Sequence, residues 1–319
     1  MSTAPAIAPR TSLETVACYA CGSLQCAPFI EAEDDLGGRP GRFRFVSCAK
    51  CGLVYQNPRL PLEAIKPWYD EEYIAHRKKT DWGLLTRAYN YAMERHDRRK
   101  LALVRRYRPL DERSQVLDIG CGAGTFLAML HAEHGCPVTG VDFKDLSHLP
   151  WMKPLEFRCG TFAEQRFGER RFDLITMWHF LEHDYEPRRT LAAARELLSR
   201  DGRLLIEVPR LDSTSFRLFQ ECWPGLQAPQ HTVLFSHATL RSMVTREGFE
   251  IVEHLPYGAF PAYFYLFCGV AFKLLRGRGL NLSRAVYPYF LGELALLPLL
   301  AFENRLNLAM QTIVLRRPA

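Results

Sequence analysis

A short apolar strand that runs straight into a glycine turn and then a helix constrains this chain more than any other feature. The stretch is Val116-Leu117-Asp118-Ile119, then Gly120-Cys121-Gly122-Ala123-Gly124, then an amphipathic run to His134. Glycines at this spacing let backbone approach a ligand more closely than any Cβ permits, and the helix start offers unpaired N–H donors. Such a unit belongs in an open α/β sheet, whose ligands sit beyond the carboxyl ends of the strands. A dinucleotide fingerprint would place glycine at Thr125 or Leu127, and neither is one. The spacing therefore opposes a nicotinamide-dependent dehydrogenase.

An acidic residue just ahead of Gly-x-Gly-x-Gly suits a cationic amino-acid moiety. Here the chain resembles motif I of class I S-adenosylmethionine-dependent methyltransferases, in the branch that acts on ubiquinone precursors, sugars and secondary metabolites. The resemblance spans about Arg108 to Leu255 plus a terminal strand. It implies S-adenosyl-L-methionine as cofactor, held by Asp118, Gly120, Cys121, Gly122 and Gly124. A second strand, Val138 to Asp142, ends in a carboxylate that would take both ribose hydroxyls, with Phe143 next to it. A third, Leu155 to Cys159, leads to Gly160, Thr161 and Phe162. In the family an aspartate often follows this glycine and meets the adenine. Thr161 departs from that, which leaves the adenine to backbone groups or to stacking on Phe162.

The fourth strand, Phe172 to Trp178, runs into His179-Phe180-Leu181-Glu182-His183. By resemblance, Trp178 and His179 face the methionine part of the cofactor. A turn at Arg200-Asp201-Gly202 precedes a fifth strand, Arg203 to Val208; Phe249 to His254 is the sixth, and Leu308 to Leu315 the last and antiparallel one. The expected fold is α/β: a Rossmann-like seven-stranded mixed sheet covered by helices on both faces, with a small N-terminal zinc ribbon and a helical insertion before the last strand.

Two histidines are candidates for the chemistry. Methyl transfer is an in-line displacement at an activated carbon, so a hydroxyl acceptor needs mainly alignment and a base. His183 stands where ligands bind and titrates in the right range, but a histidine that shapes the pocket through backbone hydrogen bonds fits equally well. His231 lies in the run Trp223 to Ser236, which resembles a Trp, Pro-x-His, Phe-Ser segment of the superfamily and would form the acceptor side; a plain loop capping the sheet is the other reading. The leading functional expectation is O-methylation of a small-molecule or glycan-linked hydroxyl in a biosynthetic pathway. C- or N-methylation, and a non-catalytic scaffold on the same fold, stand beside it.

Ahead of the sheet, Cys18-x-x-Cys21 and Cys48-x-x-Cys51 form two knuckles, each followed by glycine, around a strand-like stretch at Phe43 to Ser47. Four thiolates at this spacing present a closed tetrahedral site to Zn²⁺, structural rather than catalytic. Free thiols or a redox pair are the alternative. The divisions expected are 1–60 for the ribbon, 61–110 for a helical linker and cofactor lid, and 111–319 for the methyltransferase domain, with an apolar insertion at 256–305.

The chain has 319 residues, 48% of them apolar, and a formal charge of +6 from 41 basic and 35 acidic side chains. Much of the excess lies in Arg95 to Arg108 and Lys273 to Arg284, with no aromatic-and-basic motif to suggest nucleic acid. No secretory signal is visible, so the expected location is the cytoplasm, where ten cysteines are reduced or metal-bound. Two apolar stretches, Leu255 to Phe272 and Ala285 to Phe302, are broken by Pro261, Glu293 and Pro298, so no transmembrane helix is expected. They either bury themselves over the acceptor pocket or meet the inner face of a membrane, or a lipid-linked acceptor, through 256–302.

Overall fold

The computed structural model describes residues 13–69, 84–275, 280, 282–300 and 302–318. The stretch 70–83 of the expected 61–110 helical linker lies outside them. In chain order, β1 (Cys26–Ala32), β2 (Phe43–Cys48) and β3 (Val54–Gln56) precede a single helical turn, α1 (Leu62–Ile65), and the long α2 (Leu84–Tyr107). Then come β4 (Val116–Ile119), α3 (Thr125–His134), β5 (Val138–Asp142), β6 (Glu156–Cys159), β7 (Phe172–Trp178), α4 (Pro187–Leu197) and β8 (Leu198–Pro209). They are followed by α5 (Thr214–Phe219), β9 (Val233–Leu234), α6 (His237–Arg246) and β10 (Glu250–Leu255). Last are α7 (Ala262–Leu275), α8 (Leu282–Ala295), α9 (Leu297–Leu300) and β11 (Met310–Arg316).

The seven-stranded sheet has the order β10-β11-β8-β7-β4-β5-β6, with β11 antiparallel to both neighbours and β4 to β8 parallel. Its strands are apolar at successive positions because both faces are covered. Leu117, Ile175, Ile206 and Ile313 point into one core, where Leu191 and Ala194 of α4 and Leu240 and Val244 of α6 meet them. Val116, Leu174, Leu205 and Val314 point to the other, against Leu101 and Val104 of α2 and Leu127 and Leu130 of α3. Each fully buried side chain of this size contributes roughly 1.5–3 kcal/mol.

The expected turn at Arg200 to Gly202 proves to be an excursion inside a longer strand. Phe172 pairs with Leu198, Leu174 with Arg203, and the residues between bulge outward. Helix limits follow local chemistry. α2 stops at Tyr107, just before Arg108-Pro109, and the Ser236 side chain caps α6 by accepting from Thr239 N–H at 3.2 Å.

The amino-terminal segment is less separate than its sequence suggests. The two knuckle turns close through Gly22 N–H to Cys18 O and Gly52 N–H to Cys48 O, with both glycines left-handed. The sheet between them, however, takes its fourth strand from far down the chain: its order is β1-β2-β3-β9, with Tyr55 opposite Val233. Gln56 adds side-chain hydrogen bonds to the carbonyls of Pro229 and His231, each at 3.3 Å. Cys18, Cys48 and Tyr55 share one core cluster with Leu181, Val233 and Phe235. The ribbon-like sheet is thus continuous with the loop expected to carry His231.

The strand order also fixes where a ligand can bind. From β4 the chain moves outward through β5 and β6, then returns to β7 on the other side of β4. The carboxyl ends of β4, β5 and β7 therefore border a crevice at the switch of direction.

Candidate active site

A cavity of about 710 Å³ opens at that crevice. Ten of the eleven residues expected at the cofactor line it: Asp118, Gly120, Cys121, Gly122, Asp142 and Phe143 on one side, and Thr161, Phe162, Trp178 and His179 further round. Gly124 stands behind the turn. A Cβ there would come within 2.1 Å of Met152 Sδ, and its φ of +69° favours glycine. At Gly120 a Cβ would meet the Phe180 ring at 2.5 Å. These two glycines serve the packing of the turn, which in turn exposes backbone at Cys121 to Ala123.

The two aspartates are nearly water-free. Burial pushes the Asp118 carboxyl up to about 7, against a 2.7 Å hydrogen bond from the Thr176 hydroxyl that favours its charge. Burial also raises Asp142, whose oxygens accept from Gly122 N–H at 2.8 Å and Lys144 N–H at 3.0 Å. Phe162 is turned toward the core and packs on Phe167, and Thr161 caps the turn at Phe162–Glu164. The cavity wall there is thus ring edge and backbone. Phe143 is more open and meets the Tyr69 ring edge-on at 5.1 Å between centroids.

β7 delivers the next group. His179 sits in left-handed backbone at φ +55°, a conformation that costs a non-glycine residue energy and persists where surrounding contacts over-determine it. Here the contacts are two carboxylates: Glu182 Oε1 is 3.3 Å from Nδ1, and Glu207 Oε1 is 3.3 Å from Nε2. Burial opposes charge on the ring, but the carboxylates prevail and raise it to about 9, so His179 is an imidazolium at neutral pH. Glu207, fully buried on β8, also accepts from Ala259 N–H at 2.6 Å, Phe260 N–H at 2.9 Å and the Thr312 hydroxyl at 3.3 Å. One carboxylate thereby holds the cofactor edge, the last strand and the approach to α7 together.

His183 also lines the cavity. Its Nδ1 is 3.0 Å from the Gln230 carbonyl and 3.1 Å from the Tyr69 hydroxyl. Only an N–H can donate to a carbonyl, so Nδ1 carries the proton and Nε2 the lone pair in the neutral ring. Burial depresses its basicity, and so the ring is neutral. His231 packs against it at 4.5 Å between centroids, with Nδ1 2.8 Å from the Gly225 carbonyl. Burial takes His231 down to about 3, and its Nδ1–H donates to the Gly225 carbonyl. One ligand atom each of Glu182, His183 and His231 lie within 4.8 Å of one another, a donor set that a divalent cation could also use.

Several residues of the site had no expected functional role. Tyr69 links Phe143 to His183. From α2, His96, Asp97 and Lys100 face the cavity; Lys100 pairs with Asp97 at 3.2 Å, and Thr125 donates to Asp97 at 2.7 Å. Among the described residues, both His96 ring nitrogens and Trp178 Nε1 are buried without a hydrogen-bond partner, which marks where a polar ligand is needed. Glu207 alone carried a sequence signal, as an acid inside the apolar run Leu204 to Val208. Much of the remaining wall is apolar, with Ile65 of α1, Phe264 and Phe267 of α7, and Tyr289 and Phe290 of α8, beside polar groups that include Lys66, Glu94, Arg189 and Gln227.

The four expected metal ligands form a second cluster. Cys18 Sγ is 3.5 Å from Cys51 Sγ, Cys21 Sγ is 3.5 Å from Cys48 Sγ, and all four lie within 4.8 Å of one another. A tetrahedral Zn–S₄ centre with bonds of about 2.3 Å needs sulfurs about 3.8 Å apart. The thiols therefore match a metal and not a pair of disulfides.

Residues 91–254 match the model of a family described as a methyltransferase domain. Ubiquinone biosynthesis O-methyltransferase of Coxiella burnetii is 32% identical over 96 residues, covering 28% of this chain and 41% of that protein. The protein of the same name from Idiomarina loihiensis is 29% identical over 129 residues, covering 37% of this chain and 49% of its own length. The chain thus spans less than half the length of these curated relatives. Among solved structures, phosphoethanolamine N-methyltransferase 2 of Haemonchus contortus, in complex with S-adenosyl-L-methionine, shares the fold with a TM-score of 0.50 at 16% identity, over 83% of this chain and 63% of that one.

The His179 environment sets a pH dependence. Its folded value of about 9 lies above the ordinary 6.5, so its stabilisation is complete below pH 6.5 and is lost as pH rises through about 9. Urea midpoints measured from pH 6 to 9.5 should fall for the wild type. The fall should be smaller in His179→Asn, which tolerates left-handed backbone. Equal slopes would show that the imidazolium is not held as described.

Proposed function

The chain belongs to the methyltransferase-domain family, as a class I S-adenosylmethionine-dependent methyltransferase with a zinc-ribbon-like sheet ahead of its main domain, and from that premise we propose that it methylates a hydroxyl of a small, largely apolar acceptor. The observation that carries the reading is one cavity with two unlike halves: buried carboxylates around a glycine turn, and a neutral histidine facing an aromatic wall.

The first half fits the cofactor. Asp118 and Asp142 are desolvated acids at the ends of adjacent strands, and a cationic amino acid and a ribose are the partners that offset their burial. Asp118 addresses the amino-acid end, Asp142 the ribose, and the unpartnered nitrogens of His96 and Trp178 mark further contacts. When bound, S-adenosylmethionine supplies a methyl carbon made electrophilic by its sulfonium.

On the other side, His183 Nε2 would take up the proton of the acceptor hydroxyl. The Gln230 carbonyl fixes the tautomer that makes this possible, and Tyr69 closes the site beside it. His179 acts as a positioning residue, because its charge is spent on Glu182 and Glu207. Aromatic and aliphatic side chains from α1, α7 and α8 favour an aromatic or prenyl-like acceptor over a sugar. The names of the two bacterial relatives, both O-methyltransferases of ubiquinone biosynthesis, support transfer to oxygen.

The thiol cluster would hold Zn²⁺ as a structural ion. Through β3, β9 and Gln56 it braces the loop that carries Gln230 and His231.

Three outcomes are expected. Calorimetry with S-adenosylmethionine should give binding to the wild type that weakens below pH 7, where Asp118 must release a proton, and that falls about a hundredfold in Asp142→Ala. No binding by a folded wild type would remove the proposal. In a screen of phenols, catechols and prenylated phenols with labelled cofactor, His183→Gln should lower kcat by roughly 10²–10⁴ while leaving cofactor affinity unchanged. A loss confined to cofactor binding would make His183 a pocket-shaping residue. Metal analysis should find one Zn²⁺ per chain, and Cys48→Ser should lose it together with thermal stability; a metal-free, equally stable wild type would reject the structural ion.

A further inference from the structure

We propose that the outward face of α8 and α9, with the exposed end of α7, rests on the surface of an anionic lipid bilayer. A helix on the surface of a water-exposed domain turns polar residues outward. α8 does the reverse. Its acid, Glu293, is buried and ion-paired with Arg95 of α2, while Leu291 and Leu294 are 70% and 65% exposed. From Ala285 to Phe302, every described residue that is exposed is apolar: Pro288, Leu291, Leu294, Ala295, Pro298 and Phe302. The first five recur at three- and four-residue spacing, which places them along one side of the helical run. On α7, Val270 and Leu274 add 53% and 80% exposed surface four residues apart.

Charge selects the occupant. Between His254 and Gly292 the sequence has no aspartate or glutamate and four cations, Lys273, Arg276, Arg278 and Arg284. Arg276 and Arg278 fall outside the described residues, and the charge is a property of the sequence. Cations this near in sequence to exposed leucines match phosphate headgroups above acyl chains. A second copy of this chain would set the same cations against one another across a two-fold axis. Spanning is excluded by length, since α7 and α8 have 14 residues each where a bilayer needs about 20. Among the described residues no helix is long and apolar enough to cross.

The inference does not depend on which acceptor is methylated. Its test is cosedimentation with phosphatidylcholine vesicles, with and without about one-third phosphatidylglycerol, using the wild type and the double variant Leu291→Ser/Leu294→Ser. Both leucines are exposed, so circular dichroism and melting temperature should be unchanged in the variant. The wild type should partition onto the anionic vesicles, be released by salt, and bind neutral vesicles weakly. The double variant should lower that partition about tenfold or more. Absence of binding by the folded wild type, or equal binding by the variant, would overturn the proposal. So would sedimentation equilibrium that finds a dimer dissolved by the two serines with no vesicle binding, which would assign the face to a second copy.

Discussion

Glu207 and Glu182 are carboxylates in positions where an uncompensated charge costs several kcal/mol, and the site is organised around their compensation. His179 supplies the positive charge between them, at 3.3 Å from each. That arrangement forces the left-handed backbone at His179 and fixes the direction in which the chain leaves β7. Glu182 and His183 follow from that exit. Glu207 meanwhile takes the amides of Ala259 and Phe260, and so sets where the segment entering α7 begins. Substituting any one member would leave a buried charge or buried amides unpaired. For this reason the segment after β7, the middle of β8 and the start of the helical insertion have to be understood together.

The sheet and the glycine-turn side of the cavity were legible because their signals are local. A strand, a glycine turn and a helix occupy consecutive residues; Asp118 stands one residue before the end of its strand and Asp142 closes its own, and both apolar runs can be read directly. The four cysteines were legible for the same reason, as two short motifs. What escaped was long-range. β9 is two residues long and carries no strand signal of its own; it forms because β3 presents an unpaired edge. His96 and Lys100 lie in a helix of mixed polarity, where the face turned inward depends on how α2 crosses α3. Tyr69 reads as one more aromatic beside Trp68. His231 was picked out by motif, but burial that depresses its basicity is a property of packing and does not appear in the residues around it.

The continuity of the small sheet with β9 changes what a metal there would do. In a detachable module, loss of the ion would unfold the module and leave the main domain intact. Here Tyr55 pairs with the strand after Pro229, Gln56 holds the carbonyls of Pro229 and His231, and Arg59, which also donates to the Tyr19 hydroxyl, reaches the Tyr185 carbonyl across the boundary. Tyr185 in turn donates to Leu60 O at 2.8 Å. The order of the loop that carries Gln230 and His231 and the order of the thiol cluster are therefore coupled through hydrogen bonds that a buried, shared core makes costly to break.

The same economy of elements appears in α8. Tyr289 and Phe290 line the cavity, Glu293 turns inward to Arg95, and the opposite side is leucine and proline. Such a helix has no polar face to give to water. Its sequence therefore matches neither an amphipathic surface helix nor a spanning one, and this is why composition alone left its placement open. An apolar wall toward the acceptor and an apolar face toward the outside, separated by the width of a single helix, bring the two environments within about 10–12 Å of each other.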